Sequence, residues 1–211
     1  MTEAEWQKCA DPRKWVSFLI RALSDRKARL LACAYCRVNW QQLYDQRSRT
    51  AVEVAEDFAD NAATPEELDR AFQASAAAEE YLRRYIIGSE HNRWLRAYQA
   101  HLLTNPGARA WLHDLTGDRY RCREFGRRIC LVRDVVMDPF RPHSVDSGWL
   151  TRTVLDLAQA IYDDRAFADL PILADALEDA GCTDRAILDH CRQPGEHVRG
   201  CWAVDLVLGK S

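Results

Sequence analysis

The chain has 211 residues, 47% of them apolar and 29% charged, with a formal net charge of −3. That balance belongs to a folded globular protein and excludes a disordered, collagen-like or simple coiled-coil chain; the length suits one large domain or two small ones. Mild overall acidity argues against general nucleic-acid binding, which is driven by neutralising phosphates.

The opening residues, "MTEAEWQKCADPRK", contain no basic stretch followed by an apolar core, so the expected compartment is the cytosol. Runs such as "LLACAY" are far too short to span a bilayer, and no membrane partner is expected. In a reducing compartment the eight cysteines read as free thiols or metal ligands before they read as disulfides.

Helix punctuation then recurs along the chain. "DPRKWVSFLIRAL" opens with Asp11 as N-cap and Pro12 at the first helical position, where its missing N–H costs nothing. Ser24 caps the next helix, "SDRKARLLACAYCRVNWQQLY". "TPEELDRAFQASAAAEEYLRRYII" places Thr64 and Glu67 as a capping box around Pro65, and Gly88 ends it. "SEHNRWLRAYQAHLL" and "NPGARAWLHDL" follow as two shorter helices. In "DRYRCREFGRRICLVRDVVM" the β-branched "CLVRDVVM" leaves helix and strand open.

"DPFRPHSVDSG" is the clearest loop. Four short helices come after it, within "TRTVLDLAQAIYDD", "LPILADALEDAG", "TDRAILDHCR" and "VRGCWAVDLVLG". The expected fold is therefore all-α, a helical bundle of about ten short to medium helices whose C-terminal part is a run of short helix pairs. Residues 1–137 form the helical N-terminal part, 138–148 the loop, and 149–211 a C-terminal helical part expected to pack with the first as one domain.

Charge is segregated along this order. Residues 8–49 carry ten Lys/Arg against three acids, residues 53–80 nine acids against Arg70 alone, and residues 149–211 eleven acids against six bases. Basic helices facing acidic ones within the fold account for the pattern most simply.

Three groups of residues carry chemistry. The first is His190, Cys191, His197 and Cys201, with Cys33 and Cys36 of "CAYC" as further donors. Zinc takes four N/S ligands in a tetrahedron, but adjacent residues such as His190 and Cys191 point about 100° apart on a helix. Cys33 and Cys36 lie well inside an apolar helix, where a free cysteine behaves as a small hydrophobe and where no helix N-terminus lowers a redox thiol's pKa. The expectation is core cysteines and capping histidines, His197 capping the helix after Pro194-Gly195, with no metal and no cofactor; these six residues are the fallback metal ligands.

The second group is an arginine ridge. Arg119, Arg123 and Arg127 recur every four residues beside Tyr120 and Phe125, which suits an acidic protein or RNA. The third is a pair of acids inside apolar runs, Asp134 and Asp205. Such a carboxylate must be turned outward or paired, with Arg37, Arg141, Arg192 and Arg199 available. There is no second acid at a diagnostic spacing, no glycine-rich phosphate loop and no serine elbow, so no catalytic residue is named.

Taken together, "MTEAEW", "SDRKARLLACAYCR", "RTAVEVAEDFAD", "DPFRP", "LPILADALEDAGC" and the terminal "HVRGCWAVDLVLGK" resemble a bacterial family that occurs as many paralogues and has no known activity. The resemblance covers residues 1–60 and 138–211. It implies a recurring domain and brings no cofactor or catalytic residue; the two matched ends are expected to pack together, with Trp202, Val204, Leu206 and Leu208 docking beside the Cys33/Cys36 helix. The expected function is a non-enzymatic helical protein–protein interaction module, its partner an unknown protein or a second copy. The alternatives are a nucleic-acid-binding accessory protein acting through Arg119, Arg123 and Arg127, and a zinc-stabilised helical domain.

Overall fold

The computed structural model describes residues 1–9, 11–85 and 129–210 together with a few positions between 97 and 113. Every regular element among the described residues is helical, as the periodicity predicts. The chain divides into two compact units, Met1–Ile129 and Cys130–Ser211.

In the first unit the capping residues act where the sequence places them. Thr2 and Glu5 form a capping box at the start of α1 (Glu3–Lys8). Asp11 accepts the Arg13 N–H ahead of α2 (Pro12–Ala22), and Ser24 accepts the Lys27 N–H ahead of α3 (Asp25–Arg37). Asp45 does the same for α4 (Gln46–Ala59). At α5 (Pro65–Tyr85) the Thr64 amide donates to Glu67 at 2.8 Å and the Glu67 amide to Thr64 at 3.2 Å, a second complete box.

In α3 every residue from Ala28 through Cys36 is buried. Cys33 and Cys36 fill interior space there as small hydrophobes. α4 packs on α3, and α5 on α4. The charge segregation is resolved across the α3–α4 joint: Arg26 meets Asp60 at 2.9 Å, and Arg37 meets the buried Glu56 at 2.6 Å.

The second unit opens within α6 (Ile129–Val135), which settles the ambiguous segment as helix. Leu131, Val132, Asp134 and Val135 are its buried side, a spacing that only a helical turn can bring to one face. After the loop, Thr151 caps α7 (Arg152–Asp164), which buries Val154, Ala158, Ile161 and Tyr162. α8 (Leu170–Asp179) buries Leu170, Leu173, Ala174 and Leu177 at the matching period. Gly181, at φ +93°, makes the turn to α9 (Arg185–Arg192), and α10 (Trp202–Leu208) ends on Gly209 at φ +65°. Both glycines stand where an L side chain would be strained.

Helices α7 to α10 share one apolar core that also includes Ile187, Leu188, Cys191, Val204 and Val207. Met137, Val145, Trp149 and Leu150 pack against it, so the loop at 138–148 belongs to the second unit. Trp202 belongs to this core too, against the rings of His190 (4.7 Å between centroids) and His143 (5.7 Å). No helix among the described residues is long and apolar enough to cross a membrane.

Candidate functional site

Four polar side chains meet inside the second unit: Asp134 from α6, His190 from α9, His197 from the turn that follows, and Cys201 at the cap of α10. Each is placed by local structure. α6 turns Asp134 inward with its apolar neighbours, and α9 buries Ile187, Leu188, His190 and Cys191 on one side. The segment 193–200 then doubles back, bringing His197 and Cys201 over the same point.

The contacts are short. His190 Nε2 lies 3.2 Å from Cys201 Sγ and 3.2 Å from Asp134 Oδ1. His197 Nδ1 lies 2.5 Å from the same Asp134 oxygen and 4.0 Å from Cys201 Sγ. Asp134 Oδ2 accepts the Val198 backbone N–H at 2.9 Å. His190 Nδ1 faces the indole N–H of Trp202 at 3.1 Å and the side-chain amide of Gln193 at 3.0 Å. An indole N–H only donates, so Nδ1 accepts and the ring proton of His190 sits on Nε2, toward Asp134 and Cys201.

Burial sets the electrostatics. Asp134 is 4% exposed, His190 8% and Cys201 0%. Burial disfavours the charge on Asp134, but the hydrogen bonds from His190 and His197 outweigh it and hold its pKa below the ordinary carboxylate value. Burial likewise opposes a charged His197, and the bond to Asp134 more than compensates, raising its pKa. The Cys201 thiol is pushed well above its usual value, first by burial and then by the Asp134 charge. Cys191, buried beside the cluster, is pushed up to about 12 for the same reasons.

Of the fallback metal ligands, the structure brings His190, His197 and Cys201 together. It leaves out Cys191, which points from α9 into the apolar core, and Cys33 and Cys36, which lie in α3 of the first unit. Two expectations are corrected. Asp134 is held by two histidines and a backbone amide rather than by an arginine; Arg192 instead pairs with Asp175 and Glu178, and Arg37 with Glu56. His197 bonds Asp134 instead of capping the next helix, because its ring turns inward from the doubled-back segment. Asp205 is buried at 1% exposure. Arg119, Arg123 and Arg127, with Tyr120 and Phe125, lie outside the described residues.

The residue that sequence spacing missed is Asp134 as the fourth member. It lies 56 positions before His190 in the numbering, and its one signal is a carboxylate inside an apolar run. Chemically, the set can close on itself as a hydrogen-bonded network or offer two imidazoles, a thiolate and a carboxylate to a metal: one donor atom from each residue lies within 4.8 Å of all the others.

The helix that carries His190 depends on its own cap. Asp184 Oδ1 accepts the N–H groups of Ala186 (2.9 Å) and Ile187 (3.4 Å), and Oδ2 meets His143 Nδ1 at 2.8 Å. Burial opposes this charge, yet the bond to His143 and the two amides lower the Asp184 pKa. The stability it contributes is therefore present above an unfolded carboxylate value of about 3.9 and lost as pH falls through the lower folded value. Asp184→Ala is expected to cost about 0.5–2 kcal/mol in urea unfolding at pH 7. Asp184→Asn, which still caps, is expected to cost less and to flatten the acid limb of the stability curve; an unchanged acid limb would show that this carboxylate is not the group titrating.

Set beside known proteins, the chain matches no family model, no curated protein and no solved structure.

Proposed function

We propose that the chain is a non-enzymatic helical module that acts by binding another protein or a second copy of itself, its second unit held in shape by the Asp134–His190–His197–Cys201 cluster. One observation carries this reading. The most chemically versatile side chains among the described residues are turned onto one another in the interior. A nucleophilic cysteine needs a lowered pKa and an approach for substrate. Cys201 has neither: its sulfur is buried and its pKa is raised. A reducing cytosol, the compartment expected from the sequence, suits the free thiols at Cys9, Cys33, Cys36, Cys130, Cys182, Cys191 and Cys201.

A unit that spends its polar groups inward meets partners through its outer helix faces. Ile172 on α8 is 54% exposed, and Leu155 on α7 36%. The test is the double substitution Leu155→Asp with Ile172→Asp. Surface changes of this kind shift stability by no more than about 0.5 kcal/mol, so thermal unfolding is expected to match the parent. Self-association in sedimentation, or recovery of a partner cross-linked in the native host, is expected to be lost. Undiminished association with both substitutions in place sinks the assignment of this surface.

A further inference from the structure

We propose that Asp134, His190, His197 and Cys201 bind one zinc ion, which ties α6 to the segment joining α9 and α10. The inference goes beyond the reading of the chain as an interaction module and rests only on the cluster.

Zinc bonds of about 2.0–2.3 Å in a tetrahedron set neighbouring donor atoms roughly 3.2–3.7 Å apart. His190 Nε2 is 3.2 Å from both Cys201 Sγ and Asp134 Oδ1, and Cys201 Sγ is 4.0 Å from His197 Nδ1. Two pairs lie outside that range, Cys201 Sγ to His197 Nδ1 by about 0.3 Å too long and His197 Nδ1 to Asp134 Oδ1, at 2.5 Å, too short. The short contact is a hydrogen bond, and it opens by about 1 Å once the metal takes the place of the shared proton.

The surroundings supply the second layer that metal ligands need. Val198 N–H holds Asp134 Oδ2 at 2.9 Å and leaves Oδ1 for the ion. His197 Nε2 lies 3.5 Å from the Gln193 carbonyl, so the ring can keep a proton there while Nδ1 binds metal. When His190 gives Nε2 to the metal, its proton moves to Nδ1. There the Gln193 amide, 3.0 Å away, accepts it by presenting its oxygen. The Cys201 proton leaves to solvent. Trp202 cannot follow: its indole N–H only donates, 3.1 Å from that same Nδ1. Loading therefore separates Trp202 from His190 and makes this tryptophan a built-in reporter.

The donor set selects the ion. Calcium and magnesium take oxygen ligands, and a thiolate with two imidazoles does not suit them. Non-haem iron sites built on two histidines and one carboxylate keep open positions, whereas here Cys201 stands in the fourth. Four protein donors with no open position describe a structural zinc site.

The test uses the full chain, stripped with chelator and titrated with zinc alone, then with cobalt(II). The expected result is one zinc per chain, a shift in tryptophan emission on loading, and a thiolate-to-cobalt charge-transfer band. Cys201→Ser abolishes the band, and both it and His197→Ala weaken zinc binding by more than about 100-fold, while Gln193→Ala weakens it by about 10-fold. Cys191→Ser and the double substitution Cys33→Ser with Cys36→Ser bind as the parent does. Parent chain that takes up no zinc overturns the proposal, as does loss of zinc in the Cys33/Cys36 variant. Should the Cys201 or His197 variants fail to fold, the parent cobalt spectrum decides, and the absence of a thiolate band overturns the site. The association assay with Leu155 and Ile172 reads a separate surface, so either idea can fail without the other.

Discussion

Asp134→Ala is expected to destabilise the second unit by about 3–5 kcal/mol, read from urea unfolding of chelator-treated protein followed by near-ultraviolet circular dichroism. The carboxylate is 4% exposed and holds three donors at once: His190, His197 and the Val198 amide. Its removal leaves those groups buried without their acceptor, and the cost of an unpaired buried group exceeds the modest net value of the bond itself. Total stabilities are typically about 5–15 kcal/mol, so a loss of this size is enough to populate unfolded chains. Asp134→Asn keeps the shape and the acceptor for Val198 but gives up the charge facing His197, and a smaller loss is expected. If Asp134→Ala unfolds within about 0.5 kcal/mol of the parent, the cluster does not hold the unit together.

The second large effect belongs to the first unit. Glu56 is 1% exposed on α4 and takes Arg37 of α3 in a two-point bond, Nε to Oε1 at 3.1 Å and a terminal nitrogen to Oε2 at 2.6 Å. The Arg37 guanidinium also lies over the Trp40 ring at 4.2 Å. Removing Arg37 strands the buried Glu56 charge, so Arg37→Ala is expected to cost about 3–5 kcal/mol, and Glu56→Ala, which leaves a partly exposed guanidinium, less. Replacing both by apolar residues of similar volume, Glu56→Leu with Arg37→Met, is expected to restore most of that loss or exceed the parent by about 1–4 kcal/mol. A double variant as unstable as the sum of the two single variants would mean that the pair carries no coupling.

The local grammar of this chain was legible without coordinates because it is written in neighbours. Asp11, Ser24 and Thr64 with Glu67 cap helices by bonding amides two or three positions away, and no distant residue is needed for that. The all-α class followed from the same short-range periodicity, as did the burial of Cys33 and Cys36 in the apolar run of α3. The charge blocks at 8–49 and 53–80 foretold basic helices against acidic ones, and Arg26–Asp60 and Arg37–Glu56 are where they meet.

What sequence order alone could not supply was the partner of Asp134. An acid in an apolar run signals that something must satisfy it, but the four arginines expected as partners were all distant or undistinguished in sequence, and nothing local pointed to the histidines. The choice is made by folding: α6, α9 and the segment 193–200 converge on one interior point, putting His190 3.2 Å and His197 2.5 Å from Asp134. Within α9, His190 turns into the cluster while its neighbour Cys191 turns into the apolar core, because a helix aims consecutive side chains in different directions. Capping, periodicity and compartment chemistry are properties of short stretches and were determined by the sequence itself; the four-residue cluster is a property of chain segments 56 or more positions apart meeting in space, and only the tertiary structure decided it.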